Sequence, residues 1–492
     1  MNYDMGARLE RIERRIADGP YAPTWQSLSG WELPRWYRDA KLGMFIHWGV
    51  YSVPAFGSEW YSRNMYIKDS AAYRHHIEHY GPHAEFGYKD FIDRFRGERF
   101  DADEWMDLAR ESGAKYVVPV AEHHDGFAMY DCGLSRYTSV NMGPRRDVIG
   151  ELFDAALARG LQPCASTHRL EHWFFMGRGR EFDSDISAHS RPGELYWPSL
   201  TPDPSFTDPD CAAEPPRDFL DDWLIRTCDF IDRYMPRLLY FDWWIHHRSA
   251  KERLRKIAAY YYNTAAARGC EVVINYKYDA FALGTATLDL ERGRCADAKP
   301  FFWQACTSTS RSAWGYVEGA EYKSAGELVC ALVDVVSKNG CMLLNIGPKA
   351  DGTIAEPDVR ILRELGAWLR VNGESVYGAS PWKVCAEGSA GAREGQFADS
   401  EPVHYTCADI RYCVNNGCIY ATPLAASPDG EYLLSAFALP QDIDAAQGFV
   451  GIVAGVECLA GAPLSWERGH DGLRIRCGYT GALPPVFRIS AA

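Results

Sequence analysis

One pattern recurs along this chain and restricts its fold more than any other feature: a helix, a glycine that stops it, an apolar strand, and polar residues directly after the strand. Asp101-Ala102-Asp103-Glu104 has the form of a capping box, opening a helix over Trp105, Met106, Leu108 and Ala109 that stops at Gly113. The strand Lys115 to Ala121 follows and exits into Glu122-His123-His124-Asp125-Gly126-Phe127. A helix over Asp147 to Arg159, closed by Gly160, leads to the strand Leu161 to Ser166 and the polar exit His168, Glu171, His172. Asp218 to Tyr234, broken before Pro236, leads to a strand ending at Asp242. Lys251 to Arg268 with Gly269 precedes Glu271 to Asn275, and Ala325 to Lys338 with Gly340 precedes Cys341 to Pro348. An earlier strand, Leu42 to Ile46, exits into His47-Trp48-Gly49. Alternating helix and strand implies parallel strands joined by right-handed crossovers. Polar residues placed consistently after the strands predict an α/β fold of the (β/α)8-like, TIM-type barrel, whose site is built at the C-terminal ends of its strands. A doubly-wound sheet would show a glycine-rich phosphate turn after an early strand, and none is present.

The flanks read differently. Leu9, Ile12 and Ile16 lie at helical spacing in a charged N-terminus, predicting a helical extension over residues 1–30. The last barrel helix runs from about Pro357 to Val371, placing the barrel in residues 31–378. Beyond it, short strand-like runs such as Tyr432 to Ala438 and Gly472 to Cys477, separated by Gly, Pro, Asp and Asn, predict a C-terminal β-sandwich over 379–492. A net charge of −14 argues against a nucleic-acid partner. The first 19 residues hold no apolar run, so neither a signal peptide nor a membrane span is expected. Fifteen scattered cysteines without a C-x-x-C pair suggest reduced thiols and a cytoplasmic location.

The chemistry centres on Tyr240-Phe241-Asp242-Trp243-Trp244, where an apolar strand delivers one carboxylate beside two indoles. That pairing suits a sugar: a ring's C–H face stacks on an indole while a carboxylate attacks the anomeric carbon. The same residues also fit a strand ending in a capping Asp with core tryptophans. A glycosidase needs a second carboxyl group, kept protonated. Glu291, after the short apolar run Leu288-Asp289-Leu290, is the choice, with Glu59, Glu171, Glu318 and Glu321 as competitors. His123-His124-Asp125 and His246-His247 invite a metal, but neighbouring side chains in extended backbone point to opposite faces, and no metal-ligand spacing appears near the strand ends. His75, His79 and His83 are spaced for one helix face, yet Gly81-Pro82 interrupts it; a solvated face is expected there. No metal is therefore assigned.

Read together, several strings resemble the α-L-fucosidases of glycoside hydrolase family 29 over about residues 30–385. They are Ala40 to Pro54 with Ser58-Glu59-Trp60-Tyr61, His123 to Phe127, Trp314-Gly315-Tyr316, Leu343 to Pro348 with Asp351-Gly352, and Asn372 to Tyr377. The resemblance implies a barrel followed by a β-sandwich, retaining hydrolysis of a terminal α-L-fucosyl linkage, no cofactor, and a fucosylated oligosaccharide or glycoside as the partner, with a homo-oligomer an open option. It implies Asp242 as nucleophile, Glu291 as acid/base, and His47, Glu59, Trp60, His123, His124 and Trp314 as sugar contacts. There are departures. Glu122 stands where the family usually has Lys, and Ser166 to Trp173 replaces the usual strand-end segment, so that His168 takes the sugar contact. The doubled tryptophan Trp243-Trp244 would line the aglycone side. Against this stand a fucose-like substrate such as an α-L-galactoside, a sugar-binding barrel without hydrolysis, and a metal hydrolase.

Overall fold

The computed structural model describes residues 4–187, 190–390, 394–399 and 402–492. Eight parallel strands close into a barrel: β1 (Leu42–Ile46), β2 (Tyr116–Glu122), β3 (Ala165–Thr167), β4 (Leu238–Phe241), β5 (Val273–Tyr276), β6 (Thr287–Glu291), β7 (Trp303–Ser308) and β8 (Gly340–Ile346). Closure is made by β1, which pairs Phe45 with Asn345 of β8 on one side and with Val118 of β2 on the other. Strands β1, β2, β4, β5, β7 and β8 are buried along their whole length. Strands covered on both faces read as unbroken apolar runs, which is why the sequence pattern announces them.

Helix α1 (Met5–Ala17) buries Ile12 and Ile16 and packs on the outer helices, and α2 (Ala71–Tyr80) lies in the long connection after β1. The outer ring is α3 (Ala102–Glu111), α4 (Val148–Ala158), α5 (Arg217–Tyr234), α6 (Lys251–Ala267), α7 (Ala325–Ser337) and α8 (Glu356–Asn372). Gly113, Gly160 and Gly269 take φ of +90°, +71° and +63°, the left-handed turn that ends a helix without a Cβ clash. After α7 that role falls to Asn339 (φ +71°) and not to Gly340, which already belongs to β8. The repeat lapses twice: no helix follows β5 or β6, whose connections are residues 277–286 and 292–302. Accordingly β6 alternates, with Thr287, Asp289 and Glu291 buried while Leu288 and Leu290 stay partly exposed.

The barrel floor below the site is polar and hydrogen-bonded within itself. Asp289 accepts from Gln304 Nε2 (2.7 Å) and Tyr240 Oη (2.9 Å), and Gln304 Oε1 in turn accepts from Tyr37 and Tyr116. The expected solvated face of His75, His79 and His83 does not exist as one surface. His79 is exposed, but His75 stacks on Phe56, and His83, beyond the helix break, is buried with Nε2 on the Met65 carbonyl oxygen (2.7 Å). No helix among the described residues is long and apolar enough to cross a membrane.

The C-terminal part is a sandwich of a five-stranded and a three-stranded antiparallel sheet. Ile410, Tyr412, Ile419, Phe487 and Ile489 of one sheet pack against Tyr432, Leu434, Leu473 and Ile475 of the other. It docks on α7 through a buried cluster in which Asp334 holds both Lys338 (2.8 Å) and Arg411 (2.5 Å), and Arg411 comes from the sandwich. Removing the shared carboxylate leaves two buried cations unpaired. Asp334→Ala is therefore expected to cost about 3–5 kcal/mol, read as a lowered midpoint of chemical unfolding; an unchanged midpoint refutes the cluster's role.

Candidate active site

The polar exits converge in one cavity of about 470 Å³ at the C-terminal end of the barrel. His47 leaves β1, His123 and His124 leave β2, His168 leaves β3, Asp242 leaves β4, Lys277 leaves β5, and Glu291 ends β6. Glu59 and Trp60 come from the connection after β1, and Trp314 from that after β7. Trp243 lines it too, so all ten residues assigned to the site from the sequence (Asp242, Glu291, His47, Glu59, Trp60, His123, His124, His168, Trp243 and Trp314) share one space, joined by Lys277.

Its centre is an ion triad. The Lys277 ammonium lies 2.7 Å from Asp242 Oδ1 and also hydrogen-bonds Glu291 Oε2. Both carboxyl groups are buried, Asp242 8% and Glu291 9% exposed. Burial pushes Asp242 upward, but Lys277, His168 and His124 outweigh it and hold the group well below the ordinary carboxylate range. Glu291 moves the other way: burial raises it, Lys277 opposes, and the charge on Asp242 raises it further. Two carboxyl groups pushed apart in this way divide into an ionised one and a proton holder.

Around the triad stand four imidazoles. His124 Nε2 and His168 Nδ1 each lie 3.3 Å from Asp242 Oδ2. His168 Nε2 meets Ser166 Oγ at 2.5 Å. His47 Nδ1 lies 2.7 Å from Asn345 Oδ1, while Asn345 Nδ2 donates to Trp314 O (2.7 Å) and Ser308 Oγ (3.0 Å). The amide's donors being spent, its oxygen must accept, so His47 carries its proton on Nδ1 and presents Nε2 as an acceptor. Burial lowers His47 to about 3, and burial also lowers His123 and His168. Neutral imidazoles of this kind can donate to or accept from sugar hydroxyls. Glu59 Oε2 accepts from the backbone N–H groups of Trp314 (2.9 Å) and Gly315 (3.2 Å), tying two loops together. Trp60 stacks on Trp243, and Arg292 covers the Trp314 ring.

Several expectations need correction. His123 and His124 do not point to opposite faces; both reach the cavity, because they lie past the end of β2 in a turn completed by Gly126 at φ +80°. Only Trp243 of the tryptophan pair lines the cavity, whereas Trp244 is buried against Phe174. Among the competing acids, Glu318 and Glu321 are exposed and outside the cavity. Glu171 is buried behind His124, 3.4 Å from Nδ1, and burial raises it well above the usual range. His247 serves its own loop, capping Ser249. Lys277 was missed, although the rule that polar residues follow strands applies to it directly: it is the residue after β5. His47, His123 and His168 offer nitrogens within 4.8 Å of one another, as do His124 and His168 with Asp242, so these are the residues that would hold a metal.

A profile described as Alpha-L-fucosidase matches residues 9–374. The chain belongs to the α-L-fucosidase family. The tissue α-L-fucosidase of Rattus norvegicus is 32% identical over 389 residues, 76% of either chain. An α-L-fucosidase of Dictyostelium discoideum is 32% identical over 390 residues, 75% of this chain and 77% of that one. A solved α-L-fucosidase superposes with a TM-score of 0.75 at 28% identity, covering 96% of this chain and 100% of the other. The Thermotoga maritima α-fucosidase in complex with fucose gives 0.73 at 29% identity, covering 95% and 100%. This member of the family is a glycoside hydrolase. Its departure at Glu122 has a physical account: the carboxylate is buried behind the site, paired with Arg169 (3.1 Å) and Arg226 (3.3 Å). Its departure at His168 leaves an imidazole lining the cavity beside Asp242. Because the Asn345 amide sets the His47 tautomer, Asn345→Asp should raise His47 by about 1–3 pKa units. Ring-proton NMR then shows His47 titrating between about pH 4 and 6 in the variant and silent there in the wild type; two identical titrations refute the assignment.

Proposed function

We propose that the protein is an exo-acting, retaining α-L-fucosidase. The observation that carries this is the shared Lys277 ammonium: one nitrogen cannot hydrogen-bond two oxygens more than about 6 Å apart, and a retaining pair stands about 5–5.5 Å apart. In this reading an Asp242 oxygen bonds to the anomeric carbon as the bond to the leaving oxygen breaks, and Glu291 gives that oxygen its proton. Glu291, now a carboxylate, takes a proton from water, whose oxygen attacks the same carbon and frees Asp242. His47, His123, His124, His168 and Glu59 orient the ring hydroxyls, and Trp60 and Trp314 cover its apolar faces. All fifteen cysteines are free thiols, which favours a reducing compartment such as the cytoplasm.

The His47–His123–His168 cluster favours one other reading, a metal-dependent hydrolase. Turnover of an aryl α-L-fucoside in buffer with EDTA, by wild type, Asp242→Gly and Glu291→Ala, separates the two. The expected result is EDTA-insensitive wild-type activity, losses of about 10³-fold or more in Asp242→Gly, and recovery of Glu291→Ala by azide as the azido sugar of retained configuration, since azide takes the place of water in freeing Asp242. EDTA-sensitive turnover, or an unimpaired Asp242→Gly, rejects the proposal. Lys277→Met removes the charge that lowers both carboxyl groups, so both limbs of the pH profile of kcat/KM should move to higher pH, by about 1 unit or more. A profile that falls in height without moving refutes this role for Lys277.

A further inference from the structure

Where the outer ring lacks a helix, beside β6, a segment of the C-terminal part fills the gap. Residues 394–399 run along the end of that strand like an added one. Gly395 and Arg294 exchange backbone hydrogen bonds (3.1 and 2.9 Å), Phe397 N–H donates to the Glu291 carbonyl oxygen (2.8 Å), and Asp399 N–H donates to that of Arg292 (3.0 Å). The Glu291 N–H, in turn, donates to the Gln396 side-chain oxygen. Asp399 is also clamped by Lys323 (2.5 Å) and Thr307 (2.6 Å). The backbone of the proposed acid/base is thus held on both its N–H and its C=O by this strap.

The strap also delivers a side chain. Phe397 lines the cavity yet is 45% exposed, and its φ is +55°. That conformation is disfavoured for a bulky residue and persists only where the surroundings impose it, a pattern concentrated at functional positions. An apolar ring left in water beside a polar cavity has nothing among the described residues to cover it, and stacking on a ring of the ligand would do so.

We propose that Phe397 is the leaving-group platform, a specificity-determining residue that stacks on the first ring beyond the scissile bond, a sugar or an aryl group. This rests on the glycosidase reading above. The acid/base touches the glycosidic oxygen, so the wall built on its backbone faces what departs. The buried floor of His47, His123, His168 and Asp242 faces the sugar that stays. The partly buried Arg311 and the exposed Ser312 line the same cavity.

The test compares 4-nitrophenyl α-L-fucoside, whose leaving group has a ring, with α-L-fucosyl fluoride, whose leaving group has none. Phe397→Gly removes the ring and relieves the positive φ, and Phe397→Trp keeps an aromatic surface. The ratio of kcat/KM for the aryl substrate to that for the fluoride should fall about ten-fold in Phe397→Gly and stay within two- to three-fold of wild type in Phe397→Trp. A ratio unchanged in Phe397→Gly overturns the proposal, whether both rates hold or both fall together, since a parallel fall marks the strap as support for Glu291 only. Wild type inert on both substrates removes the glycosidase reading itself, and a wild type active on both confines any failure to Phe397.

Discussion

The site depends on one buried ammonium. Among the described residues Lys277 is the group that bridges both carboxyl groups at the centre of the cavity, and without it two acids would face each other in a poorly hydrated space. Burial alone would raise both. The ammonium and the flanking imidazoles reverse that for Asp242 and only moderate it for Glu291, because Asp242 collects Lys277, His168 and His124 while Glu291 collects the repulsion of Asp242. The asymmetry of function between two chemically similar groups is therefore an asymmetry of neighbours. Lys277 itself is held charged against its own desolvation by the same two acids.

The barrel makes this arrangement possible by bringing eight strand ends to one rim, where β1 to β6 each deliver at least one side chain to the cavity at or just past the strand's end. Its floor is closed by the Asp289–Gln304–Tyr network, so the polar side chains above are not in contact with bulk water from below. The ring of helices is incomplete around β5 and β6, the two strands that carry Lys277 and Glu291. There the C-terminal strap takes the place of a helix, and the sandwich is anchored to α7 by Asp334, Lys338 and Arg411. The β-sandwich is thus joined to the site in two ways, by packing on the barrel's outer layer and by hydrogen bonds to the acid/base strand.

Some of this was legible from local patterns. Helix stops at glycine, apolar runs and polar exits are short-range consequences of backbone sterics and burial, so the barrel, Asp242 and the histidines could be read without knowing any long-range contact. Asp242 stood out because it follows an unbroken apolar strand, and Glu291 stood only slightly ahead of Glu59, Glu171, Glu318 and Glu321, since β6 alternates in burial and lacks its helix. The errors share a cause. The rule that neighbouring side chains alternate failed at His123-His124 because the strand had already ended, and helical spacing failed at His83 because the chain turns at Gly81-Pro82 and buries the ring.

By itself the sequence determined the fold class, the family and the chemical types gathered at the strand ends, because each is encoded in residues close together along the chain. Only the tertiary structure decided what those groups do to one another. That Lys277 bridges Asp242 and Glu291, that Asn345 sets the His47 tautomer, that Glu122 turns away to Arg169 and Arg226, and that Phe397 reaches the cavity from the far side of the chain are all contacts between residues distant in sequence. Electrostatic shifts and hydrogen-bond roles depend on distance in space and on exclusion of water, and neither quantity exists until the strands have closed into a barrel.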